Sequence, residues 1–395
     1  MEPRRLKLLV LSFYYPPDIG PGPLRARAIV DALAAAGDEY LEIDVLTTQP
    51  NRYHSLNNIA PSSERLGNVT VTRFSLPGHK SGMLDQAIAF RAYANQVIRN
   101  VRGREWDVVV ATTSRLMTGA LGAWVAKRSR AAFYLDLRDL FADTMRDVLS
   151  KSLLKALLPV FEILERFTIR SARKVNVVSA GFSPYIRRIA PCVDLTEHTN
   201  GIDEEFLLAD FASTETTKPP LVLYAGNIGD GQGLHLVVPK ISARLQGEAV
   251  FRFIGDGGKR AALETALNQQ GINNVTLLNP MPREKLFEQY RQADILFLHL
   301  NDYQAFRKVL PSKIFEYAAT GKPILAGVGG YAADFLRERV LGVEVFEPCN
   351  VAAMERSFQQ LLIGPCIVDR RDFCSRYLRK NIMGEMAKDI LALGR

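Results

Sequence analysis

Two patterns of hydrophobic and polar residues alternate along most of the chain. Short continuous apolar runs of strand length, such as residues 6–13 and 132–135, are each followed by a stretch in which apolar residues recur at helical spacing. Such alternation is typical of a parallel β-sheet covered by helices on both faces, with ligands at the carboxyl ends of the strands. The pattern therefore predicts an α/β protein.

The same opening occurs twice in the chain. Residues 6–13 lead into a loop rich in glycine and proline, and residues 221–225, after a Thr- and Ser-rich segment, lead into the glycine loop GNIGDGQG. A chain of 395 residues is also too long for one compact core. We predict two Rossmann-like, doubly wound domains that face each other across a cleft, with residues 1–205 in the first domain and residues 206–377 in the second.

Both glycine loops stand between a strand and a helix, an order that delivers backbone amides to a phosphate group. In the first half Arg25 follows the loop, and we consider for it either contact with phosphate or a place on the helix surface. The predicted phosphate-facing residues of the two loops are Gly20, Gly22, Gly226, Asn227 and Gly229.

Two aspartates follow the strand predicted at residues 132–135. Asp136 and Asp139 flank Arg138 at the end of the strand, where folds of this class place their chemistry. Two carboxylates beside an arginine can hold a hydroxyl nucleophile, whereas a buried Asp–Arg pair that only orders a loop has the same sequence. We consider both possibilities, and the first predicts catalytic roles for Asp136 and Asp139.

Residues 311–330, PSKIFEYAATGKPILAGVGG, predict a short helix, a buried strand and a glycine-rich loop. Ser312 is expected to cap the helix by accepting a hydrogen bond from a free backbone amide, and Gly321 is expected to end it. Lys313 and Glu316 then lie on one face of the helix. We predict that Lys313 meets phosphate and that Glu316 accepts hydrogen bonds from a sugar hydroxyl pair. The alternative is an ordinary surface Lys–Glu pair.

The net charge of +8 is confined to the first half of the chain. Residues 1–200 contain 27 Lys and Arg against 19 Asp and Glu, while the remaining residues contain 23 of each. This asymmetry favours an anionic membrane surface or a phosphorylated acceptor as a partner. Neither a basic-aromatic module nor a zinc-finger spacing supports nucleic acid.

Residues 151–174 predict an amphipathic helix with basic residues at both ends, which Pro159 is expected to kink or divide. Its apolar face fits either the headgroup region of a membrane or the protein core. No run of about 18 apolar residues predicts a spanning helix, and the four cysteines show no zinc or disulfide pattern. We therefore predict a cytoplasmic protein that associates peripherally with the inner face of the plasma membrane.

The motifs at residues 307–330, 198–203 (which include the turn NGID) and 221–233 resemble those of glycosyltransferase family 4. These are retaining enzymes with the GT-B fold, and the likeness is greatest to the subgroup that builds bacterial surface polysaccharides of the O-antigen and capsule type. Family members carry two glutamates eight positions apart, the second of which touches the ribose of the donor. Glu316 matches the second glutamate, and Lys308 stands at the position of the first.

The resemblance also implies how the donor is bound. Family members place an arginine and a lysine in the second glycine loop, where this chain has Asn227 and Gln232. Positive charge for the diphosphate would then come from other residues, and the GDG turn would frame the nucleobase. The donor-binding residues implied in this way, beyond those of the glycine loops, are Arg25, Gly255, Gly257, Arg307, Lys308, Ser312, Lys313 and Glu316.

The activity that the resemblance implies is that of a metal-independent hexosyltransferase without a cofactor. It would move a sugar from a nucleotide diphosphate sugar, with a UDP-N-acetylamino sugar favoured, to a lipid-linked saccharide in lipopolysaccharide or related synthesis. The configuration would be retained, and the leaving phosphate would take the acceptor proton. In this fold the last helix, about residues 378–395, returns to the first domain. The alternatives are a UDP-sugar epimerase of the same fold and a non-catalytic nucleotide-sugar binding protein.

Overall fold

The computed structural model describes residues 5–18, 20–37, 40–50, 60–77, 83–113, 115–148, 157–212 and 218–394. The chain divides into two compact units. The first comprises Met1–Asn200 together with Arg379–Arg395, and the second comprises Gly201–Leu378. Each unit is a largely parallel sheet with helices around it, which confirms the predicted α/β class.

The first unit is built on an eight-stranded sheet. Its strands are β1 (Leu6–Leu11), β2 (Leu41–Thr48), β3 (Ser63–Leu66), β4 (Val69–Phe74), β5 (Val108–Thr112), β6 (Ala132–Leu137), β7 (Lys174–Val177) and β8 (Asp194–Thr196). They lie in the order β3-β4-β2-β1-β5-β6-β7-β8, and only β3 runs antiparallel to its neighbour. All five residues of β5 are buried, as expected for a central strand covered on both faces.

Helices from both ends of the chain cover this sheet. They are α1 (Pro21–Ala36), α2 (Met83–Asn100), α3 (Leu116–Ser129), α4 (Phe141–Val148), α5 (Leu158–Ser171), α6 (Ser183–Ile189) and α15 (Arg379–Ala392). Met383 and Met386 of α15 share one buried hydrophobic cluster with Ile29 and Leu33 of α1. The C-terminal helix is therefore part of the first unit's core.

The second unit is built on a six-stranded sheet that is parallel throughout. Its strands are β9 (Leu221–Ala225), β10 (Val250–Ile254), β11 (Val275–Leu278), β12 (Ile295–His299), β13 (Ile324–Gly327) and β14 (Val343–Phe346), in the order β11-β10-β9-β12-β13-β14. Its helices are α7 (Glu204–Leu208), α8 (Leu234–Arg244), α9 (Arg260–Gln269), α10 (Arg283–Gln292), α11 (Lys313–Ala319), α12 (Tyr331–Arg339), α13 (Val351–Ile363) and α14 (Arg371–Arg376). Two buried clusters fill the two faces of this sheet.

The two ends of the second unit are far apart in sequence but adjacent in space. Ile202 forms an isolated parallel bridge with Leu378, and the Ile202 amide donates to the Tyr377 carbonyl at 2.7 Å. The segment that enters the unit and the segment that leaves it therefore lie side by side.

A buried arginine fixes the end of α11. The Arg370 guanidinium donates to the carbonyls of Lys322 and Leu341 at 2.9 and 2.8 Å, and more weakly to those of Ala318 and Gly342. Burial lowers the pKa of Arg370 to about 10. Because it joins Ala318, at the last turn of α11, to the loop before β13, Arg370 helps to set where the helix lies.

One local prediction is wrong, because Ser312 precedes α11 without making a side-chain capping hydrogen bond. Pro159 lies in the first turn of α5, which begins at Leu158, and a proline there costs no hydrogen bond. Residues 149–156 lie outside the described part of the chain, so the kink or division expected at Pro159 within residues 151–174 stays a prediction. Among the described residues, no helix has the length and apolar character needed to cross a bilayer.

Candidate functional site

Two glycine loops of the second unit, at the carboxyl ends of β9 and β10, are joined by backbone hydrogen bonds. The Gly226 amide donates to the Ile254 carbonyl at 2.9 Å, and the Ile228 amide donates to the Asp256 carbonyl at 2.8 Å. The Lys259 amide then donates back to Ile228 at 2.9 Å. The two stretches that the sequence predicts to bind the donor therefore form one continuous rim.

The close approach of these loops requires glycine. Gly255 has a φ of +152°, and a Cβ atom there would lie 1.8 Å from the Gly226 carbonyl oxygen. Gly257 has a φ of +155°, and its Cβ would lie 2.6 Å from the Ile228 backbone. An L side chain at either position would force the loops apart.

We expect Gly255→Ala to lower the free energy of unfolding by about 2 kcal/mol, because the backbone conformation is strained for alanine and the methyl group meets a carbonyl. Gly258→Ala is the matched control, since a Cβ at Gly258 meets nothing within 4 Å. Its effect should stay within about 0.5 kcal/mol. Denaturant unfolding measures both variants, and equal losses would contradict the packing explanation.

The polar side chains of the first of these loops bind each other. Asn227 Nδ2 donates to Gln232 Oε1 at 2.8 Å, and the same oxygen accepts from the Gly229 amide at 3.2 Å. Gly229, predicted to offer its amide to phosphate, thus has an internal partner in this structure. A cation that the sequence analysis did not single out lies at this loop, since Lys259 Nζ is 3.4 Å from Asp230 Oδ1.

Lys313 and Glu316 meet on one face of α11, as their spacing predicts. Lys313 Nζ lies 2.6 Å from Glu316 Oε2, and the two side chains are only 23% and 18% exposed. Burial alone would lower the pKa of Lys313, but the Glu316 carboxylate and the neighbouring Tyr317 and Tyr224 together outweigh burial and raise it. Lys313 is therefore a cation, and the pair is half-buried rather than an ordinary surface pair.

Tyrosines surround this pair and connect it to the glycine loop. Lys313 Nζ lies 3.4 Å from the buried Tyr290 hydroxyl and 5.9 Å from the centre of the Tyr317 ring. The Tyr317 hydroxyl accepts from the Ala225 amide at 3.0 Å, and the Tyr224 hydroxyl donates to the Asn227 carbonyl at 2.7 Å. Periodicity shows these tyrosines only as apolar positions, so sequence reasoning missed them.

The segment before α11 carries the other two predicted cations of this unit. Arg307 Nη2 binds Asp302 Oδ1 at 3.0 Å, and the side chain remains 41% exposed. Lys308 follows in the same short 3-10 segment, Gln304–Lys308. Gly330, with a φ of +58°, packs directly on this segment, because a Cβ there would lie 2.1 Å from the Arg307 carbonyl oxygen.

His299, at the end of β12, connects the glycine loop to a neighbouring loop. Its Nδ1 lies 2.6 Å from the Gln232 carbonyl, and its Nε2 accepts from the Cys349 amide at 3.0 Å. Burial lowers the pKa of His299 to about 4, so the ring is neutral near pH 7. Its hydrogen bonds are satisfied within the unit.

In the first unit, Arg25 and Asp136 bind each other in the interior. Both side chains are fully buried, with Nε to Oδ2 at 2.9 Å and Nη2 to Oδ1 at 2.8 Å. Arg25 also donates to the carbonyls of Thr199 and His198, and Asp136 accepts from Asn176 and Thr112. The guanidinium has no free edge for a phosphate, and the carboxylate has none for a hydroxyl nucleophile.

This geometry changes the interpretation of the first-unit residues. The alternative of a helix-surface arginine at position 25 is wrong, and the partner of Asp136 is Arg25 rather than Arg138. A buried Asp–Arg pair that orders loops fits the structure, while phosphate contact by Arg25 and catalysis by Asp136 remain predictions that the geometry does not favour. Asp139 is exposed. Gly20, at a φ of +136°, and the buried Gly22 lie at the start of α1.

Two protein-family models match the chain, one in each half. The model for glycosyl transferases group 1 matches residues 208–381, and the model for the glycosyl transferase 4-like domain matches residues 23–193. A protein of Escherichia coli (strain K12), provisionally named the colanic acid biosynthesis glycosyl transferase WcaI, is 30% identical over 175 residues. That alignment covers 43% of this chain and 42% of the relative, so the chain is matched to less than half of the relative's length.

Solved structures resemble the chain over nearly its full length. Sucrose-phosphate synthase from Thermosynechococcus elongatus has a TM-score of 0.68 at 15% identity, with 99% of this chain and 96% of that chain covered. Anabaena HepE in complex with UDP-glucose has a TM-score of 0.65 at 14% identity, with 98% and 100% covered. At such identities the likeness concerns the fold alone, and it confirms the predicted GT-B architecture of two Rossmann-like domains.

Proposed function

Because this chain has the GT-B fold and carries a glycosyl transferases group 1 domain and a glycosyl transferase 4-like domain, we propose that it is a glycosyltransferase of polysaccharide biosynthesis. The single observation that carries the proposal is the half-buried Lys313–Glu316 pair beside the joined glycine loops. The hydrogen bond from the Ala225 amide to the Tyr317 hydroxyl connects α11, which carries the pair, to the end of β9, where the first of these loops begins. Cation, carboxylate and backbone amides at the carboxyl ends of parallel strands suit a nucleotide diphosphate sugar.

In the proposed donor site, Lys313 faces the diphosphate and Glu316 accepts hydrogen bonds from the ribose hydroxyls. Departure of a nucleoside diphosphate develops negative charge on phosphate oxygens, and a fixed cation stabilises that charge more in the transition state than in the ground state. Lys259, Arg307 and Lys308 are further cations of the same unit. These cations supply the positive charge that family members obtain from an arginine and a lysine in the second glycine loop, where this chain has Asn227 and Gln232.

We also propose the identity of the donor, the transferred group and the stereochemical course of the reaction. The donor is a UDP-sugar, with a UDP-N-acetylamino sugar favoured, and a UDP-glucose complex of the structurally similar HepE supports UDP as the carrier. The transferred group is a hexosyl unit, and the anomeric configuration is retained. The leaving phosphate takes the acceptor proton, so the reaction requires neither a protein base nor a metal or other cofactor.

The acceptor in this proposal is a lipid-linked saccharide at the inner face of the plasma membrane. The excess of positive charge in residues 1–200 suits both the phosphate of such an acceptor and an anionic membrane surface.

Incubation of the purified protein with radiolabelled UDP-sugars, with and without a lipid-linked saccharide, tests the function. Transfer of label from the UDP-sugar to the lipid-linked saccharide supports a transferase. A changed sugar without acceptor would instead identify an epimerase, and binding without any reaction would identify a non-catalytic protein. A thermal-shift panel of UDP, GDP and ADP tests the carrier, and the largest stabilisation is expected with UDP.

A further inference from the structure

A cavity of about 420 Å³ opens to solvent in the second unit, between the last turn of α12 and one side of α14. Two aromatic and four charged side chains line it: Glu338, Arg339, Asp372, Phe373, Arg376 and Tyr377. Sites for small molecules typically measure roughly 300–1,000 Å³, so this volume admits a compact ligand. None of the six residues belongs to the proposed donor site, and the cavity is therefore a separate feature of this unit.

The Tyr377 ring is held in the cavity wall by three phenylalanines. The ring centres of Phe373, Phe315 and Phe335 lie 4.6, 5.4 and 5.6 Å from the centre of the tyrosine ring. Tyr377 remains half-buried, and its hydroxyl makes no hydrogen bond with any residue that the structure describes. The cavity therefore presents an aromatic surface that its neighbours hold in place and whose polar end is available to a ligand.

The four charged side chains of the cavity are two carboxylates and two guanidinium groups. None of the four makes an ion pair within the described ranges of the chain. Other arginines of the same helices differ in this respect, because Arg371 Nη2 lies 2.6 Å from Asp369 Oδ2 and Arg337 Nη1 lies 4.0 Å from Asp334 Oδ1. The donors and acceptors that line the cavity can therefore hydrogen-bond a ligand without first breaking a pair.

The composition of the cavity favours one class of ligand. Two positive and two negative groups cancel, so neither a phosphate-like anion nor a cation gains from the local field. An apolar molecule would remove water from four charged groups without replacing their hydrogen bonds. A neutral sugar meets both requirements, because its hydroxyls donate to carboxylates and accept from guanidinium groups, while its C–H face packs on an aromatic ring.

We propose that this cavity is a non-catalytic binding site for a neutral saccharide. Tyr377 packs against the face of a sugar ring, while Asp372 accepts hydrogen bonds from its hydroxyls and Arg376 donates hydrogen bonds to them. All of these contacts come from α14 and its C-terminal cap. Because the donor site takes no part in them, the inference does not rest on the proposed sugar transfer.

Isothermal titration calorimetry of the full chain with lactose, cellobiose and diacetylchitobiose tests the proposal. We expect at least one of these neutral disaccharides to bind with a Kd on the order of 1 mM. Arg376→Gln and Asp372→Asn should each weaken that binding about tenfold, because each substitution removes a hydrogen bond made by a charged group. Saturating UDP, which fills the proposed donor site, should leave the disaccharide Kd unchanged.

The matched control is Arg356→Gln, which changes an exposed arginine of α13 that makes no ion pair with a described residue and should bind like wild type. Three results would overturn the proposal. These are no disaccharide with a Kd below about 10 mM, equal binding by Arg376→Gln and wild type, or loss of the binding when UDP is added. Binding of inorganic phosphate in place of the disaccharides would identify an anion site instead. Unchanged circular dichroism spectra show that each variant is folded, and no readout depends on sugar transfer.

Discussion

Replacement of Lys313 by alanine is expected to reduce the rate of sugar transfer at least about 100-fold, with little change in the fold. Removal of one fixed donor from a developing oxyanion costs on the order of 3 kcal/mol in the barrier. Glu316→Ala should cause a loss of similar size, because it removes both the ribose acceptor of the proposed site and the partner that holds Lys313 at 2.6 Å. Initial rates with saturating donor measure both effects.

The chain offers a matched control for these variants. Lys388 and Glu385 form another Lys–Glu pair three residues apart on a helix, with 2.7 Å between Nζ and Oε1, but both side chains are well exposed. Lys388→Ala should leave transfer within about twofold of wild type, as expected for a solvated surface pair. Wild-type turnover by Lys313→Ala would show that the donor site does not lie at α11. Equal losses of activity in Lys313→Ala and Lys388→Ala would indicate a non-specific effect of charge.

Arg25→Ala is expected to destabilise the first unit by about 3–5 kcal/mol. The substitution leaves the fully buried Asp136 carboxylate without its cation and removes the donors for two backbone carbonyls, and breaking a buried pair from one side typically costs that much. Hydrogen exchange followed by mass spectrometry should show the loss in peptides from β6 and α1. The neighbouring variant Arg27→Ala removes an exposed pair with Asp31 on the same helix and should cost less than about 1 kcal/mol.

The Arg25–Asp136 pair also predicts a pH dependence. Burial by itself raises the pKa of Asp136, but Arg25 and the hydrogen bonds from Asn176 and Thr112 lower it below its usual value. The stabilisation is therefore fully present above the unfolded-state pKa of about 4 and is lost as the pH falls through the lower folded-state pKa. The stability difference between wild type and Asp136→Asn should narrow in acid. A difference that grows as the pH falls would contradict this assignment.

The fold could be predicted from the sequence because its signals are local. Continuous apolar runs alternating with amphipathic stretches indicate parallel strands and covering helices, and the repeated opening at residues 6–13 and 221–225 indicates two such domains. The Lys313–Glu316 pair could be predicted for the same reason, since a spacing of three residues on a helix decides that the side chains meet. Local spacing does not show whether the two side chains are buried. The sequence alone therefore leaves an ordinary surface Lys–Glu pair as the alternative to a ligand-binding pair.

The features that sequence reasoning missed depend on contacts between distant residues. Arg25 and Asp136 are separated by 111 positions, and neither residue's neighbours indicate that they meet. Tyr317 is 92 positions from Ala225, whose amide donates a hydrogen bond to the Tyr317 hydroxyl. Gly255 appears in sequence as a loop glycine suited to a ligand, whereas the structure shows that the Gly226 carbonyl already requires it. Such distinctions need three-dimensional positions.

The bridge between Ile202 and Leu378 has a consequence for engineering. One uninterrupted stretch, Gly201–Leu378, forms the whole second unit, and its two ends are adjacent in space. The second unit is therefore suited to excision and exchange as a single segment. The remainder, rejoined from Asn200 to Arg379 through a short spacer, would keep its C-terminal helix. If the proposed donor site lies in the second unit, chimaeras assembled at these two junctions are expected to exchange donor preference.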